Sequence, residues 1–292
     1  MSVSSYWSFL QNLNNQSPQQ MRDFFEQITC HEDWRPDLLQ LAEVLMAAAG
    51  LQNSSYAGYI SRAASCAAAY PKASTNAYHN KAHTAHVAIL CAYLPFQQKD
   101  IVLTETERAF LLLAAFAHDI DHPGRGNPQS DFFYNERNSC DALEPLLAGM
   151  PTEQRMRLRT MILATSPNEP HQDLKKIIST RQTRFKELGL LVGDRRLFEM
   201  TAILSDSDIM LSSGLGEAVQ AEMSRRFTAE TKAAGLDIDF NSVSARWTFF
   251  EKIVGLDGFL SESARRSFLS NYEAMRDNTI KLLGRPLYQK AL

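Results

Sequence analysis

Apolar and polar positions follow helical spacing along almost the whole chain, and no stretch alternates for long enough to predict a strand. The clearest element is a helix over 104–118. Thr104 and Glu107 have capping-box spacing, and an unbroken apolar block from Ala109 to Ala117 follows them. A helix that is apolar on every face belongs at the centre of a fold. The same spacing predicts helices over about 79–94, 152–165, 196–212, 243–254 and 261–283. The stretch 214–241, which holds Gly214, Gly216, Gly235 and Asp237, predicts a helix closed by a loop. Residues 1–70 look helical, and the segment 166–194 reads as polar and irregular. Glycine and proline are sparse, and neither a repeat nor a linker is evident. The expected architecture is all-α, with residues 1–70 as an N-terminal helical segment packed on a core formed by 71–292, the two making one continuous unit.

Composition narrows the function without choosing it. The chain of 292 residues is 45% hydrophobic and 22% charged with a net charge of −3, which is ordinary for a soluble globular protein long enough to bury a sizeable core. Lys and Arg are scattered rather than massed, so no nucleic-acid surface is expected. The longest nearly apolar run, Phe110 to Ala117, is far short of the roughly 20 residues that span a bilayer. The N-terminus lacks the basic and apolar regions of a secretion signal. Cys30, Cys66, Cys91 and Cys140 show no metal-binding or disulfide spacing and read as reduced thiols of a cytoplasmic protein. Oligomeric state leaves no mark in the sequence.

Histidine placement changes the picture. Five of the seven histidines fall between residues 79 and 122, and carboxylates accompany them. One cluster contains His79, His83 and His86; the other runs His118-Asp119-Ile120-Asp121-His122-Pro123-Gly124. Imidazole nitrogens and carboxylate oxygens together suit Zn, Mn, Fe and Mg. His79 and His83 are four apart and share a face of the expected helix, with His86 three further on. His118 and Asp119 close the buried helix, where a charged pair needs a partner and a cation is the simplest one. A third carboxylate comes from Asp206 or Asp208, which a helix points about 200° apart. Positions 197, 201, 204, 208, 211 and 215 make a core-facing stripe interrupted by Asp208, so Asp208 is the expected ligand and Asp206 is left a solvated or capping role.

These residues resemble the His…His-Asp…Asp set of the HD-domain metal phosphohydrolases. Tyr78-His79-Asn80-x-x-His83 and the string from His118 to Asn127 resemble, more sharply, the signatures of the class I 3′,5′-cyclic-nucleotide phosphodiesterases, and Tyr134-Asn135-Glu136 with Ser139 extends the likeness. The resemblance spans about 76–275 and implies a compact helical HD-type catalytic domain around a dinuclear metal site. It implies that His83, His118, Asp119 and Asp208 hold Zn or another transition metal, and that Asp119 bridges to a second ion, Mg or Mn. It further implies His79 as general acid, and His122 and Glu136 as groups acting beyond the ligands or through water. Asn80 and Asn127 would fix loop geometry. The substrate would be a small phosphate ester, a cyclic nucleotide or a related signalling nucleotide, lined by Tyr78, Leu256 and Phe259.

The pattern also departs from that family. Leu256 stands where a purine-gripping glutamine is expected, three residues before Phe259, the expected stacking clamp; leucine offers no hydrogen bond to a base edge. His86 stands where an aspartate is expected, either as a hydrogen-bonded helix residue or as an extra ligand. The segment between Asn127 and Tyr134 is short. An HD-type phosphohydrolase of non-cyclic nucleotides or phosphomonoesters, which the 135–139, 206–208 and 264–266 strings also resemble, therefore stays open, as does a non-catalytic metal-binding sensor or scaffold.

Overall fold

The computed structural model describes residues 3–30, 34–167 and 169–285. Helices carry it, and no strand occurs among the described residues. In chain order they are α1 (Val3–Gln11), α2 (Pro18–Thr29), α3 (Leu38–Ala48), α4 (Ala57–Ala69), α5 (Lys81–Tyr93), α6 (Glu105–Ala117) and α7 (Tyr134–Leu143). Then come α8 (Thr152–Leu163), α9 (Glu169–Thr180), α10 (Gly189–Gly193), α11 (Arg195–Met210), α12 (Glu217–Ala233), α13 (Val243–Thr248) and α14 (Glu262–Leu282). No described helix is long and apolar enough to cross a membrane.

Two helices organise the interior. Every residue of α5 from Ala82 to Tyr93 is buried, as is every residue of α6 from Ala109 to Ala117. They pack on each other, and α3, α4, α8 and α11 surround them. Alanines at 85, 88, 92, 114 and 115 keep side-chain bulk low where the two central helices meet their neighbours. The capping box that marks the start of α6 is formed, with Thr104 and Glu107 each taking the other's backbone amide. The buried apolar residues make one contiguous cluster from Tyr6 to Met275, so the first 70 residues share their core with the rest of the chain.

Three expectations about the elements need correction. The helix expected from residue 79 starts at Lys81, because Asn80 has extended backbone and its Oδ1 accepts the amides of Ala82 and His83. His79 therefore precedes the helix instead of riding on it. The segment 166–194 is not irregular: it contains α9 and α10. Helix α9 buries a stripe (Pro170, His171, Asp173, Leu174, Ile177) in which polar residues stand among the apolar ones, which hides its period. The expected helix over 243–254 changes character midway, becoming a π-helical turn over Phe249–Val254.

Candidate metal centre

Three helix ends bring the metal-binding residue types together. His83 lies in the first turn of α5, His118 and Asp119 at the C-terminal end of α6, and Asp208 in the last turn of α11. His83 Nε2 is 3.2 Å from Asp119 Oδ2 and 3.0 Å from Asp208 Oδ1. His118 Nε2 is 3.3 Å from Asp119 Oδ2, 3.7 Å from Asp208 Oδ1 and 3.3 Å from His83 Nε2. Asp208 thus lies closer to His83 than to His118. Ligand atoms about 2.1 Å from one ion and adjacent in its shell sit about 3.0–3.4 Å apart, so this spacing fits a shared cation.

Tautomers and electrostatics agree with that fit. His118 Nδ1 lies 2.8 Å from the Ala115 carbonyl, which fixes its proton there and leaves the Nε2 lone pair facing the cluster. Asp119 Oδ2 is a buried oxygen with no hydrogen-bond partner. Burial alone would depress the His83 pKa, but the Asp119 and Asp208 carboxylates outweigh it and lift the value to about 9. Burial likewise opposes ionisation of Asp119, and the two imidazoles more than reverse it. Protons on the imidazoles thus balance the carboxylates in the ion-free molecule, and a divalent cation can take their place.

Asp206, one side of the expected either-or, has another use. It is fully buried, and its carboxylate accepts the amides of Leu260 and Ser261 and the Ser261 hydroxyl at the start of α14. The solvated role expected for it is corrected, and the capping one describes what it does.

His79 stands beside the cluster, its ring centroid 5.6 Å from that of His83 and stacked 3.7 Å from that of His122. Its partner is Glu230 on α12, a residue that the sequence reading missed. Glu230 pairs with His79 Nδ1 and accepts the amides of Tyr78 and His79 at 2.7 and 2.9 Å. Burial pushes this carboxyl up, but His79 and the two amides bring it down to about 2. The signal was available: Val219, Met223, Phe227 and Glu230 form an apolar stripe on α12 that ends in a carboxylate, as the α11 stripe meets Asp208. His79, His122 and Glu230 are close enough to hold an ion themselves. Their lone pairs are spent, however, on the His79 ring, on two amides and, at His122 Nδ1, on the Gly124 amide at 3.2 Å.

The 118–127 loop is fixed in detail. Asn76 Nδ2 donates to the His122 carbonyl, and a Cβ on Gly124 (φ +75°) would come within 2.8 Å of Asn76 Oδ1, so the glycine permits this close approach. Burial and the neighbouring His79 depress His122 to about 3, so it is neutral, and Asn135 Nδ2 lies 3.2 Å from its Nε2. Asn127 donates to the Phe132 carbonyl and to Glu136 Oε2 and accepts the Asn135 amide. Burial pushes Glu136 up to about 8. His86 points away from the cluster toward the N-terminal helices, stacked 4.8 Å on Trp34, edge-on to Phe25 and 3.5 Å from the Thr29 hydroxyl. The Tyr78 ring lies 4.9 Å from that of His83.

The expected purine-gripping segment is built differently. Leu256 and Phe259 lie between the π-helical turn and α14, against the Asp206 face of α11, about 200° around the helix from Asp208. Phe259 is only 3% exposed, edge-on to Tyr272 and packed over Gly214. The exposed face expected of a stacking clamp is therefore absent, because the ring fills a core position. The carbonyls of this segment are taken by side chains: Lys175 donates to Val254 and Gly258, Tyr272 to Gly255 and Arg276 to Leu256.

Residues 78–138, which carry His79 through Glu136, match the family model of 3′,5′-cyclic nucleotide phosphodiesterases. Among solved structures, the phosphodiesterase domain of the RhoPDE fusion protein from the choanoflagellate Salpingoeca rosetta superposes with a TM-score of 0.56 at 17% identity, covering 85% of this chain and 88% of that one. Residues 78–138 thus resemble the phosphodiesterase family, and the chain shares its all-helical fold with a phosphodiesterase domain.

Proposed function

We propose that the chain hydrolyses the phosphodiester of a cyclic nucleotide or a related small signalling nucleotide with two divalent metals, Zn or another transition metal at the first site and Mg or Mn at the second. The pairing of His83 and His118 with both Asp119 and Asp208 at 3.0–3.7 Å, with His79 alongside and held by Glu230, supports this reading. His83, His118, Asp119 and Asp208 would hold the first ion, and Asp119 would also serve the second. When bound, the ions supply a nucleophile at neutral pH and neutralise charge on the phosphoryl oxygens.

The remaining roles belong to the chain. His79 Nδ1 is committed to Glu230, so its Nε2 is the atom that can give a proton to the departing oxygen. Glu230 orients the His79 ring through Nδ1 and, through two amides, fixes the Tyr78–His79 backbone beside the cluster. His122 and Glu136 would act beyond the ligands or through water near the second ion. A non-cyclic or monoester substrate is the rival, and Leu256 favours it, since no glutamine is present to read a purine edge.

The test is turnover of 3′,5′- and 2′,3′-cyclic nucleotides, cyclic dinucleotides, a nitrophenyl phosphodiester and phosphomonoesters with Mn or Mg. Hydrolysis of a cyclic nucleotide is expected. Turnover of monoesters alone would hand the assignment to the rival.

A further inference from the structure

A file of rings leads outward from the metal centre. From His83 the next ring is Tyr78 at 4.9 Å, then Phe227 at 5.1 Å and Phe240 at 4.4 Å, all between centroids. Phe227 also meets the His79 ring edge-on at 5.8 Å. Tyr78, Phe227 and Phe240 are each only half-buried, whereas Phe259 is enclosed. The outer end of the file is held in place. Helix α12 ends in a turn in which Gly235, at φ +82°, lets the Leu236 amide return to the Thr231 carbonyl. The chain then doubles back, and the Phe240 amide donates to Thr228 Oγ1 at 2.9 Å. Before it reaches Phe240 the same loop exposes Leu236 and Ile238 at 44% and 43%.

We propose that Phe227 and Phe240 form the platform that receives the heteroaromatic base of the substrate, replacing a clamp at Phe259. The inference rests on the phosphodiesterase reading above and names how that site holds its substrate. The platform starts beside His79, so a base lying on it leaves the phosphate of the same nucleotide next to the metal centre. Stacking reads the face of a base, which all bases share, and the two phenylalanines add no hydrogen bond at its edge. Leu256 then ceases to be a defect, since no edge is gripped. The consequence is weak discrimination between adenine and guanine.

The test compares the wild type with Phe227→Ala, Phe240→Ala and Phe240→Leu on cyclic adenosine and guanosine monophosphates, with metal loaded. Phe240 sits on a loop, so its variants decide the matter if Phe227→Ala fails to fold. The KM for both substrates is expected to rise together by about tenfold or more in Phe240→Ala, less in Phe240→Leu, with the effect on KM and not on kcat. Unaltered KM values, or wild-type discrimination between the two bases above about 100-fold, which edge reading supplies, would overturn the platform. If the wild type turns over no cyclic nucleotide, the functional reading fails separately. Calorimetric binding of adenosine 5′-monophosphate then decides: weaker binding in Phe240→Ala supports the platform, and equal binding, or none in the wild type, refutes it.

Discussion

The metal centre and the segment 252–260 lie on opposite faces of α11, and they solve opposite problems. At the metal centre, two imidazole nitrogens and two carboxylate oxygens face one another, with Asp119 Oδ2 3.2 Å from His83 Nε2 and 3.3 Å from His118 Nε2. At 252–260, the carbonyls of Val254, Gly255, Leu256 and Gly258 are met by side-chain donors. Asp206 and Asp208, two residues apart, show the divide in one helix: the first takes two amides and a hydroxyl of the α14 cap, the second faces two imidazoles. A buried polar group without a protein partner marks chemistry; a saturated one marks architecture.

The sharpest way to break this contrast is Asp119→Ala. It should release the bound transition metal, roughly one per chain in the wild type, and lower phosphodiester turnover by about a thousandfold or more; elemental analysis showing full retention would refute the ligand set. Next, His79→Ala should cut turnover of substrates with poor leaving groups by about 100- to 10,000-fold while the metal stays bound. Glu230→Gln should show the same selectivity at about 10- to 100-fold, as expected for a residue acting through another. An equal loss of metal and activity in either variant would contradict the assignment.

On the other face of α11 the effects should fall on stability. Lys175→Met leaves two carbonyls without their donor and should cost about 2–3 kcal/mol in urea unfolding, with metal content preserved. Leu256→Gln, which restores the amide of a purine grip, should change KM for cyclic nucleotides by less than about threefold, because the segment faces away from Asp208.

The smallest effect concerns Glu107, whose capping of α6 and pairing with Arg196 outweigh its burial and hold its carboxyl near pKa 2. A depressed carboxyl stabilises the fold above its ordinary value of about 4.3 and loses that contribution as the pH falls toward 2. Glu107→Gln should therefore be less stable by about 1 kcal/mol at pH 7, with the difference from wild type vanishing near pH 2 in thermal melts.

The sequence disclosed residues whose evidence is local. His118 and Asp119 stand at the end of an unbroken apolar helix, and Asp208 interrupts a core stripe, so periodicity alone sets them apart. Glu230 escaped because its link to His79 spans 151 residues and its own stripe passes for ordinary amphipathicity. Phe259 misled because spacing from Leu256 cannot report that the ring would be packed over Gly214 and Tyr272. The carbonyl lock was illegible for the same reason: its donors come from α9 and α14, nearly 80 residues before and about 20 after the carbonyls they serve.

His86 carries a last consequence, about time rather than geometry. Helix α5 has no solvent side: its residue 83 faces the metal centre, while its residue 86 is clasped by Phe25, Thr29 and Trp34 from the opposite end of the molecule. Arg226 of α12 also binds the Thr29 carbonyl, tying the helix that carries Glu230 to the same N-terminal clasp. The ribosome releases these first helices long before α11 and α12 exist, so they wait with an uncovered apolar face until the chain is nearly complete. A fragment trimmed at residue 70 would keep His83, His118, Asp119 and Asp208 and still lack the wall against which α5 is seated.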